Sequence, residues 1–183
     1  HQPSYIIGFP FPDIDPTDPQ TAIKILWNYF YQWWYNGNTQ VLTALQWIGP
    51  TGLERDAMQE VRFLYYDAQP RPLSPEQNPN NLRLQFLAKA VGPADLYGTA
   101  ALSWRFREGH KQDLLWSFVP ALRRVRQVSP TNRSDGFLGS DLSQDDGPFF
   151  DGKPENFTWK LAGETEMFRL TDPYSLKGDV SFG

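Results

Sequence analysis

Leu82, Leu84, Phe86, Ala88 and Ala90 alternate with Arg83, Gln85 and Lys89. A period of two sends successive side chains to opposite sides of a pleated strand, so this stretch reads as a half-buried β-strand. The same alternation returns in Val41, Thr43, Leu45 and Trp47, and again in Val61, Phe63 and Tyr65. It recurs in Leu102, Trp104 and Phe106, in Leu114, Trp116 and Phe118, and in Phe157, Trp159 and Leu161. Val125 to Val128 and Met167 to Leu170 are shorter candidates, giving six to eight strands. The links Gly49-Pro50-Thr51-Gly52 and Glu108-Gly109-His110 are short and polar. Such links join antiparallel neighbours, because parallel pairing needs a crossover of a dozen residues or more. Pro120 ends its strand or places it at a sheet edge. Pro70 to Asn81 and Ser129 to Pro154 read as loops by composition.

One segment breaks the pattern. Ile23, Leu26, Trp27, Phe30, Trp33 and Trp34 recur at spacings of three and four, the signature of a helix. Asp18 is a suitable N-cap, Pro19 suits the first helical position, and Asn36-Gly37 supplies a left-handed stop. Tyr29, Tyr31 and Tyr35 widen the apolar stripe around most of the helix, which predicts cover on more than one side. Residues 1–14, with Pro3, Pro10 and Pro12, read as an extended arm. The expected fold is therefore mainly β with α: a curved antiparallel sheet, an incomplete barrel, covered by one aromatic helix. At 183 residues, with no internal repeat, the chain is expected to form a single domain.

Composition narrows the chemistry. Thirteen Phe, seven Trp and eight Tyr make the chain 15% aromatic, enough for a ring-rich core or a ring-lined pocket. The net charge of −4 argues against a general nucleic-acid binder, whose affinity rests on basic surface. The absence of cysteine removes disulfides, thiol catalysis and cysteine-ligated metals. No apolar run reaches the ~18 residues of a membrane-spanning helix. Of the two histidines, His1 begins the chain and His110 falls in the expected hairpin turn, so no imidazole metal site and no catalytic residue is expected. No cofactor motif is present. Asp141, Asp145, Asp146 and Asp151 cluster in one loop, but they do not fit an EF-hand: Asp146 stands at the turn-glycine position and Gly152 where the bidentate Glu belongs. These acids read as turn caps or as partners of Arg123, Arg124, Arg126 and Arg133. The first three of those arginines are also candidates for an anionic head group or phosphate, and so for contact with a membrane surface.

The order Leu115-Trp116-Ser117-Phe118-Val119-Pro120, then Arg123-Arg124-Val125-Arg126, then Gly139-Ser140-Asp141 and Asp145-Asp146 has a counterpart. It resembles a Gram-negative family of envelope proteins defined only as a domain of unknown function. Gly8-Phe9-Pro10-Phe11-Pro12, the helix around Leu26-Trp27-Asn28, and Phe157-x-Trp159-Lys160-Leu161-x-Gly163 are similar to further elements of that family, in the same order. The family looks like distant kin of the periplasmic lipoprotein-sorting carriers and their outer-membrane receptors, whose incomplete barrels hold acyl chains under helices. The resemblance implies a signal peptide, a periplasmic or outer-membrane setting, and genetic company with lipid-exporting pumps. It carries over no catalytic residue. Family members are usually longer, so the chain is expected to be a fragment, or a short relative whose barrel another chain completes at exposed strand edges.

The leading expectation is a non-enzymatic binder of lipid or another apolar molecule. Leu84, Phe86, Trp104, Phe106, Trp116 and Phe118 would form its apolar wall, and Trp27, Phe30 and Trp34 its lid. Each methylene moved from water to such a wall gains roughly 0.8 kcal/mol, so an acyl tail needs no charged residue to be held. The alternatives are an interaction module that completes its sheet with a partner chain, and an aromatic platform for glycans.

Overall fold

The structure is a computed structural model of the chain, describing residues 9–33, 37–67, 75, 77–129, 133–134, 136, 140–146, 150–166 and 168. One helix, α1 (Thr21–Trp33), is followed by six strands: β1 (Thr39–Gly49), β2 (Gly52–Tyr65), β3 (Leu82–Gly92), β4 (Ala100–Phe106), β5 (Leu114–Val119) and β6 (Arg124–Val128). They form one open, curved antiparallel sheet in the order β1-β2-β3-β4-β5-β6, so each strand pairs with the strand before it. The expected class, mainly β with one helix, holds, and the described strands do not close into a barrel.

The helix begins where its capping chemistry places it. Asp18 accepts the Gln20 backbone N–H at 2.8 Å through Oδ1 and pairs through Oδ2 with the Lys24 ammonium. The regular helix starts at Thr21, three residues beyond the expected cap, because Asp15 to Gln20 form tight turns first. Gly37 at φ 94° provides the left-handed exit that a side chain would resist. Trp34 and Asn36 lie outside the described residues, as do residues 1–8 of the expected arm. The rest of that arm is strapped to the helix: Asn28 accepts the Phe11 N–H at 2.9 Å and donates to the Phe11 carbonyl at 2.7 Å.

Two differences from the sequence reading have clear causes. β2 extends nine residues before its expected apolar stretch at Val61, through Glu54, Arg55, Asp56, Gln59 and Glu60. Those positions read as polar because β1 and β2 run on as an exposed ribbon, held by the ladder from Gly49↔Gly52 to Thr39↔Phe63. Conversely, Phe157 to Leu161 is not a strand. Its alternation serves a ring cluster instead: Phe150 meets Phe157 edge-on at 5.3 Å and Trp159 at 5.0 Å, and the Trp159 indole N–H donates to the Pro154 carbonyl at 2.9 Å. Of the expected segment Met167 to Leu170, only Phe168 is described.

Candidate ligand-binding surface

The ladders assign the paired strand residues to one face or the other. Thr39, Phe63, Phe86, Ser103, Leu115 and Val128 form one continuous cross-strand row, and Tyr65 faces Leu84 beside it. The helix covers this face. Phe30 and Tyr65, each 2% exposed, and Leu84 form the buried cluster, with Trp27, Phe63, Phe86 and Phe150 packed against it. Phe63 and Phe86 meet at 4.9 Å, and the Arg83 guanidinium stacks 4.8 Å from the Trp27 ring. Phe30 and Leu84 therefore meet the chain's own rings. The helix is packed down on the sheet at this point.

The next row, Gln40, Arg62, Leu87, Leu102, Trp116 and Gln127, belongs to the opposite face. Trp104 lies there too, facing Gln85 on β3 and Leu114 on β5, and Phe118 pairs with Ala100. Trp104 and Trp116 meet edge to face, with centroids 5.2 Å apart at 75°. These rings and Leu64, Leu87 and Leu102 are half-buried. A hollow of about 420 Å³ opens on this face, lined among others by Leu64, Leu87, Leu102, Gln85 and Arg62. That volume lies within the ~300–1,000 Å³ of small-molecule sites, but the hollow is a shallow depression with a half-polar lining: Asn38, Thr39, Gln40, Arg62 and Gln85 stand beside Phe63, Leu64, Phe86, Leu87 and Leu102. The Trp104 indole Nε1 is buried with no hydrogen-bond partner among the described residues.

The expected wall is thus divided. Leu84 and Phe86 lie on the helix side, whereas Trp104, Trp116 and Phe118 lie on the other, with Leu64, Leu87 and Leu102 beside them. Phe106, 4% exposed, faces Leu82 at a bulge in β3. The apolar pattern within each strand was clear in the sequence. Its phase relative to the next strand depends on turn geometry and on that bulge, which shift register without an apolar signature.

Charged groups hold the ends of the sheet. Arg105 pairs with Asp113 at 3.0 Å and Asp151 at 2.8 Å, and Arg133 with Asp145 at 3.4 Å. In the acidic loop the Asp145 carboxylate accepts the Asp151 N–H at 2.8 Å, and that of Asp146 the Ser143 N–H at 2.6 Å. The loop acids are thus turn caps and a partner of Arg133, as expected, but not partners of Arg123, Arg124 or Arg126. Those three arginines stand exposed at the β5–β6 turn and on β6. The Ser143 backbone N–H holds the Asp146 carboxyl below its ordinary range, and the Asn81 amide does the same for Glu108. A general acid needs the opposite shift. His110 is exposed in the β4–β5 turn.

The sequence of residues 2–179 matches the family model described as "Protein of unknown function (DUF1329)". The chain belongs to the DUF1329 family. An uncharacterised protein of Pseudomonas aeruginosa is 26% identical to this DUF1329 chain over 168 residues, covering 86% of the chain and 35% of that protein. The chain therefore spans about a third of the length of the curated relative it matches. Among solved structures, a Vibrio parahaemolyticus domain named for outer membrane lipoprotein sorting aligns with a TM-score of 0.55 at 17% identity. The alignment covers 77% of the chain and 52% of that domain, and it shows a shared fold. A DUF1329 family protein from Desulfovibrio piger aligns with a TM-score of 0.47 at 20% identity, over 71% of the chain and 48% of that protein. The family and the kinship in fold expected from the tryptophan, arginine and aspartate motifs are both found.

Proposed function

We propose that this DUF1329 chain is a non-enzymatic binding element for lipid or another apolar molecule in the bacterial cell envelope. One observation carries the reading: the sheet face opposite α1 presents Leu64, Leu87 and Leu102 around an open hollow of about 420 Å³, with Trp104 and Trp116 beside it. An acyl chain laid on that surface gains roughly 0.8 kcal/mol per methylene without any covalent step. The fold shared with a domain named for lipoprotein sorting supports the envelope setting. The binding surface is assigned to the open face, because the helix side is filled by Phe30, Tyr65 and Leu84.

Two measurements on the purified chain test this. Organic extraction followed by mass spectrometry is expected to release lipid in stoichiometric amount, and an apolar fluorescent probe is expected to brighten on binding. No extracted lipid together with no brightening would overturn the reading.

A second reading is favoured by the sheet edges. β1 and β6 each pair on one side only among the described strands, and β1 exposes Leu42 at 63% and Ile48 at 47%. A partner chain adding a strand there would complete the sheet. Such a module would co-purify with protein and leave the probe dark.

A further inference from the structure

Leu122, Arg123, Arg124, Val125, Arg126 and Val128 crowd the turn after β5 and the edge strand β6. The three arginines are exposed, and their guanidinium groups make no ion pair or hydrogen bond with any described residue. That sets them apart from Arg55, Arg62, Arg105, Arg107, Arg133 and Lys153, each of which stands beside a carboxylate. Large aliphatic side chains are exposed around them: Leu122 at 51% in the turn, Val128 at 39% on the face of β6 that carries Arg124 and Arg126, and Val125 at 64% on the opposite face. Arg123 takes a left-handed backbone conformation, φ 49° and ψ 32°, where glycine would sit more easily, with its N–H on the Pro120 carbonyl at 3.0 Å. Arg124 and Arg126 share one face of β6, roughly 7 Å apart by strand geometry.

We propose that this patch docks on the surface of an anionic phospholipid bilayer. Guanidinium forks match phosphate oxygens in pairs, and the neighbouring Leu122 and Val128 side chains can enter the boundary between head groups and acyl chains. With a net charge of −4 on the whole chain, the attraction must come from these few groups at short range. The charge pattern also favours a bilayer over an added strand, because charged side chains on an edge strand discourage strand pairing. The patch lies two strands from Leu102, the nearest residue lining the hollow, so the proposal goes beyond the apolar-ligand reading and does not rest on it.

Cosedimentation of the purified chain with vesicles tests the proposal. We expect binding to mixed phosphatidylglycerol–phosphatidylcholine vesicles, little to phosphatidylcholine alone, and loss in about 1 M salt, where the screening length shrinks to roughly 3 Å. Each arginine near an anionic surface is worth about fivefold in partitioning, so the triple variant Arg123→Gln, Arg124→Gln, Arg126→Gln should bind about a hundredfold more weakly. Circular dichroism checks that the triple variant folds, and the single variant Arg124→Gln, expected to lose about fivefold, serves if it does not. Equal binding to neutral vesicles, salt-resistant binding, or a folded variant within twofold of the native chain would overturn the proposal. The probe fluorescence described above reports on the other face and is independent of this result.

Discussion

Lys153, 8% exposed, holds its ammonium 3.2 Å from the Asp113 carboxylate. The same nitrogen donates to the carbonyls of Phe106 at 3.3 Å and Glu108 at 2.8 Å, and to that of Lys111. One buried cation thus ties the segment after the acidic loop to the β4–β5 hairpin. Removing it takes one of the two cations from Asp113, which keeps Arg105 at 3.0 Å, and leaves three carbonyls without this donor. We expect Lys153→Met to destabilise the fold by about 1–3 kcal/mol in urea unfolding, the cost of lost hydrogen bonds from a charged donor. Lys111→Met, at a half-exposed pair with Glu108, should cost no more than about 1 kcal/mol.

Phe30 anchors the helix on the sheet and is 2% exposed. Phe30→Ala should cost about 3–5 kcal/mol, read as a lowered urea midpoint with α1 loosened. Leu42→Ala, at a position 63% exposed on β1, should change stability by no more than about 0.5 kcal/mol.

The open face should respond to charge placed on its rings. Trp104→Asp and Trp116→Asp should each weaken apolar-probe binding at least tenfold, since a carboxylate on that surface must be desolvated. Arg124→Ala should leave probe binding within about twofold, a small change on the scale where 1.4 kcal/mol is tenfold. Equal losses in a fluorescence titration would count against the apolar surface.

Asp18 makes the start of α1 sensitive to acid. The Lys24 ammonium and the Gln20 N–H hold its carboxyl below the ordinary value of 3.8. A group whose folded-state value is depressed stabilises the fold above its unfolded value, and that contribution fades as the pH falls through the folded one. Asp18→Asn should therefore lower the melting temperature at pH 7. The gap from the native chain should close as the pH drops below about 4, in melts followed by circular dichroism.

Much of this fold could be read from side-chain period. Leu82 to Ala90, the Leu102 and Leu114 hairpin, and the Ile23 to Phe30 stripe each announced their element, since burial on one side leaves a mark at every second or every third and fourth residue. The first half of β2 left no such mark, because Glu54 to Asp56 are paired by backbone while their side chains meet solvent, and the one buried residue there, Ala57, is too small to set a period. Phe157 and Trp159 misled for the opposite reason: their alternation serves ring packing without a ladder. The surface around Trp104 and Trp116 was visible as rings and invisible as a place. Its partners Leu64, Leu87 and Leu102 sit on neighbouring strands whose relative phase is set by bulges at Met58/Gln59 and Leu82/Leu84.

Because the strands follow one another in space as they do along the chain, the sheet can assemble as a series of hairpins. Each pairing closes a loop of at most 16 residues and exposes the edge on which the next one forms, so no distant segment must be awaited. A chain threaded out end-first, from a ribosome or through a translocation pore, could fold this sheet in the order in which it emerges.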